Sequence, residues 1–450
     1  MKENIFRLSE ELLERKDFRA LKQLLAGIAP HTLARLIEGA DETDAPLIFR
    51  ILPKETAAET FVELDADTRE QLIRTFSQEY LREIIGELFD DDVADIVEEM
   101  PANAVKRILA AADPRTRSAV NELLKYPPDS AGSIMTTEYV SLRESMTVEE
   151  AFAHIRQVGV DKETVYNCYV TAPDKKLTGI VTVRTLLLAG TGDTIGALME
   201  RNVISVRTDA DREEVAQEMG RYDFLAMPVT DNEQRLVGIV TFDDAIDVLR
   251  EETTEDIEKM AAITPTDRPY LKTSVFQHWS KRIPWLLLLM ISATFTGSII
   301  SYFEDSLSKM VILTAFIPML MDTGGNAGSQ SSVTVVRGLS VGDISIGDFL
   351  RIIWKEFRIA VLCGITLAAV GFAKFIFIDR VTLAVALTVS FTLFITVIFA
   401  KIAGAALPVL AKRIGFDPAV MASPFITTIV DALSLLVFFN IAKLILPQLG

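Results

Sequence analysis

Apolar residues are distributed unevenly along this chain of 450 residues. After residue 280 they form five long stretches, each supplying the about 20 residues that a helix needs to cross a bilayer core. Before residue 280 they occur in short groups between charged residues. The pattern predicts a five-helix α transmembrane domain over 281–450, preceded by a water-soluble region. The predicted spans are 283–302, 309–336, 359–378, 381–406 and 420–444.

The positions of lysine and arginine predict how these spans are oriented. Basic residues lie before the first span, between the second and third, and between the fourth and fifth, and are scarcer in the other two connections. Because basic connections stay on the cytoplasmic side, the N-terminus is predicted to be cytoplasmic and the C-terminus extracytoplasmic. The chain should therefore be a multi-pass protein of the plasma (cytoplasmic) membrane, with the lipid bilayer as one partner.

Residues 1–128 have the pattern of short helices. Apolar residues recur at helical spacing, for example at Leu21, Leu25 and Ile28. Prolines separate the helical segments, and Pro127-Pro128 marks the end of the region. We therefore predict an all-α superhelical or bundled N-domain. The separating prolines are Pro30, Pro53, Pro101 and Pro114.

Residues 129–252 contain an internal repeat with a period of 59 residues. The segment LTGIVTVR at 177–184 returns as LVGIVTFDD at 236–244, and each follows an apolar strand and a polar turn. Met135-Thr136 and Met199-Glu200 open the two copies. The repeat resembles a pair of α/β CBS domains, at about 129–192 and 193–252. The resemblance implies ATP or another adenine nucleotide as a ligand, with Arg184, Thr241 and Asp244 at the matching positions.

Charge separates the two parts of the chain. Residues 1–270 hold 31 basic and 53 acidic residues, a net charge of −22, whereas residues 271–450 hold 14 and 9, a net charge of +5. Such acidity argues against nucleic acid as a partner, because phosphate backbones attract lysine and arginine clusters. The two cysteines, Cys168 and Cys363, predict neither a disulfide framework nor a thiolate metal site. Because the first 18 residues are charged throughout and lack an apolar segment, we do not expect them to form a signal peptide.

The second span has an unusual composition. It contains Pro318, which can kink a helix, and the glycine-rich segment GGNAGSQ at 324–330. Irregular backbone at membrane depth survives only where protein or water satisfies it. The glycines alone are equally compatible with close helix packing. The polar side chains of Asp322, Asn326 and Gln330 favour a polar pathway through this segment.

The fifth span carries an ionisable residue, Asp431. A charged side chain at the bilayer centre costs about 2.5–3.5 kcal/mol on translocon scales, so it usually faces a cavity and serves a function. Thr427 and Thr428 precede it by one helical turn and lie near its face. Carboxylate and hydroxyl oxygens are hard ligands that suit Mg²⁺ or Ca²⁺. The alternative is an aspartate that joins two helices by a hydrogen bond.

Three acidic clusters punctuate the soluble region. Like charges at helical spacing destabilise one another, and a bound divalent cation would relieve that repulsion. A solvated acidic surface is the alternative for each cluster. Together with the intramembrane aspartate, the clusters favour cation sensing. Their members are Asp90, Asp91, Asp92 and Asp95; Asp243, Asp244 and Asp247; and Glu251, Glu252, Glu255, Asp256 and Glu258.

These features, in this order, resemble the MgtE family of magnesium channels over essentially the whole chain. The most specific motifs are GGNAGSQ at 324–330 and SPFITTIVD at 423–431. The resemblance implies a homodimer with a pore on its two-fold axis, a connecting helix at 253–280, and a pore carboxylate at Asp431 that binds hydrated Mg²⁺. Thr427, Gly325, Asn326 and Gly328 fall at the other pore positions.

The resemblance also implies gating by cytosolic Mg²⁺. Ions bound to acidic residues of the N-domain, the second CBS domain and the connecting helix would close the pore, and their release would open it. The matching ligand positions are Glu59, Asp91, Asp95, Glu213, Asp223, Asp244, Asp247, Glu252, Glu255, Asp256 and Asp417.

Other functions remain as alternatives. A membrane enzyme, such as an intramembrane metalloprotease, needs two histidines one turn apart, and none of His31, His154 and His278 lies in a predicted span. We therefore expect that the protein is not an enzyme. The same architecture could carry Mn²⁺ or Co²⁺, or act as a proton- or sodium-coupled carrier.

Overall fold

A computed structural model of the chain describes residues 2–266, 270–421 and 423–446. The outer ends of the predicted first and last domains, Met1 and 447–450, lie outside these ranges. The chain forms two compact units, Met1–Leu249 and Arg250–Gly450.

The first unit begins with ten short helices, as the apolar spacing predicts. Asp17, Asp65 and Ser77 each begin a helix by accepting a hydrogen bond from a backbone N–H of its first turn, which satisfies an otherwise unpaired donor. The helices are α1 (Lys2–Glu14), α2 (Phe18–Leu25), α3 (Pro30–Glu38), α4 (Ala45–Ile51), α5 (Lys54–Val62), α6 (Ala66–Thr75), α7 (Gln78–Ile85), α8 (Asp90–Glu99), α9 (Ala102–Ala111) and α10 (Pro114–Leu123).

The predicted repeat forms two three-stranded sheets of the same topology. In each sheet the first strand is parallel and the third antiparallel to the central strand. The pairs Cys168–Val181 and Met227–Val240 occupy equivalent places, 59 residues apart. The first copy comprises β1 (Val140–Leu142), α11 (Val148–Val158), β2 (Asn167–Thr171), β3 (Leu177–Thr182) and α12 (Val183–Leu188). The second comprises α13 (Ile195–Leu198), β4 (Val206–Arg207), α14 (Arg212–Tyr222), β5 (Ala226–Thr230), β6 (Leu236–Thr241) and α15 (Phe242–Met260).

The opening segments of the two copies are exchanged. Thr136, which opens the first copy, makes two backbone hydrogen bonds with Ile239 in β6 of the second. Glu200, which opens the second copy, pairs in the same way with Ile180 in β3 of the first. The sulfur of Met135 packs where a side chain on Gly238 would otherwise project. Each copy therefore completes the other.

The second unit is helical with several apolar helices, and together with the first it confirms the predicted class of a helical N-domain, an α/β repeat pair and a helical C-terminal domain. Of the described helices, α16, α19, α20 and α21 are long and apolar enough to cross a membrane. Exposed apolar side chains such as Leu286, Met290 and Ile291 on α16 form the kind of surface that lipid or protein covers. The helices are α16 (Val275–Tyr302), α17 (Glu304–Lys309), α18 (Ile317–Ser340), α19 (Phe349–Phe377), α20 (Leu383–Arg413) and α21 (Ser423–Ile445).

The second predicted span differs from its prediction. The helix α18 begins at Ile317 rather than near 309, because 304–309 forms the short helix α17 and Val311–Phe316 forms a 3-10 turn. Pro318 lies in the first turn of α18, where its missing N–H has no helical partner to lose. The prediction of a kinked or irregular backbone was therefore wrong, and the glycine-rich segment is continuous helix. Its 24 residues span about 36 Å at 1.5 Å per residue.

The predicted connecting helix also has different bounds. The helix α15 starts at Phe242, at the end of the second repeat, and ends at Met260. The next helix, α16, starts only at Val275. The segment 253–280 is therefore helical at both ends and not a single helix.

Candidate functional site

The two motif segments of the membrane unit pack directly on each other. A side-chain carbon on Gly325 of α18 would lie 2.8 Å from Cγ2 of Thr427 on α21, and one on Gly328 would lie 2.8 Å from Cγ2 of Ile426. A carbon on Gly324 would lie 2.9 Å from Val430. Larger residues would push the helices apart, so these glycines permit the contact. The register is antiparallel and brings Asp322 of α18 to the level of Asp431 of α21.

Asp431 lies beside this contact with one carboxylate oxygen unused. Its Oδ1 atom is buried and has no hydrogen-bond partner among the residues that the structure describes. The carboxylate of Asp322 is near enough to repel that of Asp431. Asn326 is exposed one turn beyond Asp322 on the same helix. An unpaired carboxylate oxygen at membrane depth is costly, so this arrangement suits a cation ligand better than a helix-joining hydrogen bond.

In the first unit, two predicted acidic clusters come together. The aspartates at the start of α8 act electrostatically on Asp244 at the start of α15, and Glu163 lies among them. Asp91 Oδ1 and Glu163 Oε2 are both buried, and neither has a hydrogen-bond partner in the described ranges. Thr241 donates a hydrogen bond to Asp244 Oδ2 at 2.5 Å. Sequence reasoning missed Glu163, because a single glutamate between two repeat elements gives no local signal.

The pKa values in this cluster are raised together. Desolvation, followed by repulsion from Asp92 and Asp244, raises the pKa of Glu163 to about 8. Desolvation, with repulsion from Asp244 and Asp92, raises the pKa of Asp95 to about 8. The pKa of Asp244 rises to about 6, again mainly by desolvation, and that of Asp91 is raised well above its usual value by desolvation and the charge of Asp92. The cluster is therefore electrostatically strained at neutral pH.

This strain predicts a pH dependence in the absence of divalent cations. Because the carboxyl pKa values are raised, the folded unit retains protons that the same groups would release in the unfolded chain. The folded unit is therefore most stable below about pH 4, and it loses this stability as the pH rises through 6 to 8. With a chelator present, amide exchange in α8, corrected for its intrinsic pH dependence, should be slower at pH 6 than at pH 8. Glu163→Gln should reduce the difference. Equal protection at both pH values would contradict the prediction.

The end of α15 is bound within the second unit. Lys259 Nζ lies 2.5 Å from Glu255 Oε1 and 2.6 Å from Asp417 Oδ2. Ser340, the last residue of α18, donates a hydrogen bond to Asp256 Oδ2 at 3.0 Å. Burial lowers the pKa of Lys259, but its hydrogen bonds to Asp417 and Glu255 outweigh this effect and leave the pKa raised. The structure thus brings Glu255, Asp256 and Asp417 to one region, with a lysine among them.

The other predicted ligands are more dispersed. Glu59 is exposed on α5 and Asp247 is exposed on α15, one turn after Asp244. Glu213 accepts a hydrogen bond from Gln217 in α14, and Asp223 ends that helix in a left-handed conformation, with φ 56°. Glu252 is half-buried on α15. Among the described residues, no three His, Cys, Asp or Glu side chains form a ready-made metal site.

The predicted nucleotide-binding residues have different neighbours in the two CBS copies. In the second copy Thr241 bonds Asp244, whereas in the first the equivalent Thr182 bonds Thr185 through their hydroxyl groups at 2.9 Å. Arg184 is exposed at the start of α12. Only the second copy therefore presents a carboxylate at this place.

Three family models match the chain. A model described as a divalent cation transporter, MgtE, matches residues 317–441, and the MgtE intracellular N domain matches residues 28–129. The CBS domain model matches residues 131–192 and 195–251. These matches follow the predicted order of the three regions.

Proteins similar to this chain match it over all or nearly all of its length. The magnesium transporter MgtE of Thermus thermophilus is 37% identical over 99% of both chains. That of Bacillus subtilis is 33% identical over 92% of this chain and 94% of its own. Among solved structures, the cytosolic domain of the Mg²⁺ channel MgtE in complex with ATP is 40% identical, with a TM-score of 0.51, over 53% of this chain and 98% of that chain.

Proposed function

Because the chain belongs to the MgtE family of divalent cation transporters, we propose that it is a magnesium channel whose pore runs along α18 and α21. The predicted family is thereby confirmed, and membership of this family supports a membrane transporter rather than an enzyme of the metalloprotease type. The main observation that supports this position of the pore is the carboxylate oxygen of Asp431 that lacks a partner among the described residues, beside the contact of the two motif segments.

The chemistry of Mg²⁺ supports a shared site in a homodimer. Magnesium gives up its water reluctantly, and proteins commonly bind it through one or two carboxylates while it keeps several waters. One chain supplies one such carboxylate at Asp431, and a two-fold axis would supply the second. Thr427 and Asn326 lie on the same two helices and would line the pathway of the hydrated ion, whereas Gly325 and Gly328 would act by letting the two helices approach closely.

Gating rests on the acidic groups of the first unit. A divalent ion bound among Asp91, Asp95 and Asp244 would offset the repulsion that raises their pKa values. Such an ion stabilises the closed state only if it binds that state more tightly than the open state, and the difference in binding free energy sets the size of the effect. High cytosolic Mg²⁺ would thus keep the soluble region compact and the pore closed. The further ligands proposed are Glu59, Glu213, Asp223, Asp247, Glu252, Glu255, Asp256 and Asp417.

The proposed topology places the N-terminus in the cytoplasm and the C-terminus outside the plasma membrane. The basic ends of α18 and α20, with Arg337, Lys412 and Arg413, and the basic start of α19 support this orientation. We also propose that the CBS pair binds ATP, as the solved relative does. Thr241 and Asp244 of the second copy would contact the ribose and phosphates.

Ion flux in sealed vesicles tests this function. Purified full-length protein in proteoliposomes should carry Mg²⁺ down its gradient without an imposed proton or sodium gradient. Flux that requires such a gradient would indicate a coupled carrier, and a preference for Mn²⁺ or Co²⁺ would indicate a different ion. No flux of any divalent ion would refute the proposal.

Asp322 is expected to assist the pore carboxylate. It lies level with Asp431 and repels it, so it adds negative charge where a cation would bind. Asp322→Asn should raise the half-saturating Mg²⁺ concentration for uptake while leaving measurable flux. The effect should shrink at high ionic strength, because screening weakens charge interactions. An unchanged half-saturating concentration at low salt would contradict this role.

A further inference from the structure

A buried polar network joins three helices of the membrane unit. Ser331 of α18 donates a hydrogen bond to Glu356 Oε2 of α19 at 2.6 Å, and Lys401 Nζ of α20 donates one to the Ser331 hydroxyl oxygen at 3.2 Å. The exposed fractions of Ser331, Glu356 and Lys401 are 1%, 7% and 4%. One hydroxyl group thus connects a carboxylate and an ammonium group that lie on different helices.

The network lies next to the closest approach of α18 and α20. The two helices run parallel, with Gly324 beside Thr396 and Gly328 beside Ala400. A side-chain carbon on Gly404 would lie only 2.2 Å from the carbonyl oxygen of Gly328. Ser331 follows Gly328 by one turn, and Lys401 precedes Gly404 by one turn. The network therefore holds the helices together where no larger residue fits.

At the glycine crossing itself, packing specifies the axial position of α18 weakly, and the larger apolar contacts with α19 and α20 lie beyond it, at Val335, Leu339, Ile352 and Val409. Small residues let helix backbones approach closely, but glycine and alanine present no large side chains that interlock along the axis. A buried network that holds charged groups is a poor source of stability, since apolar residues of similar volume often replace buried charges without loss. Its best-attested use is to select one register from several. Ionisable residues at this depth indicate function in the same way.

We propose that the Glu356–Ser331–Lys401 network is a register lock that sets the axial position of α18 relative to α19 and α20. The pore depends on this position, because α18 carries Gly325 against Thr427 and Asp322 level with Asp431. Sliding by one residue would move the α18 groups about 1.5 Å along the pore. Glu356 and Lys401 are thus positioning residues for ion recognition. The functional part of this inference rests on the proposed pore.

Paired substitutions separate positioning from simple stability. Lys401→Met and Glu356→Met should each lower the thermal stability of the purified protein, because each leaves one buried charge without its partner. The double variant should recover that stability, since both charges are gone. Its half-saturating Mg²⁺ concentration should nevertheless rise several-fold, and its discrimination between Mg²⁺ and Ca²⁺ should fall. Lys374→Met, which removes the α19 side chain of a half-exposed ion pair with Asp379, is the matched control.

A distance measurement tests the lock without relying on transport. In a full-length background with Cys168→Ala and Cys363→Ala, spin labels are placed at the exposed positions Val333 of α18 and Phe399 of α20. With the labelled chain diluted in an excess of unlabelled chain, so that distances within one chain dominate, the unmodified network should give one narrow distance. The double variant should give a shifted or broadened distribution. An unchanged distribution together with unchanged ion discrimination would overturn the inference. A shifted distance in a protein that carries no Mg²⁺ would support the lock and refute the proposed function instead.

Discussion

Asp431→Ala is expected to reduce Mg²⁺ uptake to the background of empty vesicles while the protein still folds. The substitution removes the only carboxylate that α21 contributes along its described length. Folding should survive, because Asp431 Oδ1 has no hydrogen-bond partner within the described residues and its removal leaves no buried donor unpaired. Fluorescent-indicator flux in proteoliposomes, together with size-exclusion elution in detergent, measures both quantities.

Asp305→Asn supplies the control for this variant. It removes an acidic charge from the exposed helix α17, away from the motif contact, and should leave uptake unchanged. Asp431→Asn distinguishes the effect of charge from that of size, because it keeps the shape of the side chain and removes its charge. Its Mg²⁺ uptake should be nearly as low as that of the alanine variant. Uptake retained in the alanine variant would remove Asp431 from the pore and, with it, the central assignment.

Neutralising Asp91, Asp244 and Asp247 together is expected to leave the channel open at high cytosolic Mg²⁺. Amide side chains keep the size of the carboxylates but lack the charge that binds a divalent ion. Mg²⁺ would then no longer favour the compact state over the separated one. Patch recordings or vesicle flux, with the cytosolic side exposed to low and then high Mg²⁺, should show conductance that no longer falls.

The control must remove the same charge elsewhere in the first unit. The triple variant Asp129→Asn, Asp174→Asn, Asp209→Asn does so at exposed positions whose partners are Arg212, Lys176 and Arg207, and surface ion pairs contribute little. It should close normally. Normal closure in the Asp91, Asp244 and Asp247 variant would count against the sensor, whereas loss of closure in both would indicate a general charge effect.

The sequence predicted those parts of the molecule that rest on periodicity. The spacing of apolar residues and the prolines indicated the short helices, and the 59-residue repeat indicated two equivalent sheets. Asp431 was identifiable because a carboxylate in an apolar stretch is costly. The helix α18 was mispredicted, because proline and glycine were taken as breaks in a segment where Pro318 only begins the helix and the glycines serve packing.

Residues that act through tertiary contacts were not predictable in this way. Glu356 precedes the predicted third span, which starts at 359, but α19 begins at Phe349 and carries it into the helix bundle. Lys401 lies inside the predicted fourth span, and a lone lysine in an apolar stretch was the only indication in the sequence that this position has a special role. Glu163 joins its cluster only through the arrangement of α8 and α15. Such proximity depends on the fold and leaves no pattern in the chain.

The exchange of opening segments between the two CBS copies makes them interdependent. Because Thr136 pairs with Ile239 and Glu200 with Ile180, a single copy taken alone would lose the bridge at the edge of its third strand and expose backbone groups there. We therefore expect that neither copy folds autonomously, despite its own sheet and helices. We expect a disturbance of one copy to affect the other through these hydrogen bonds, and the pair to unfold cooperatively.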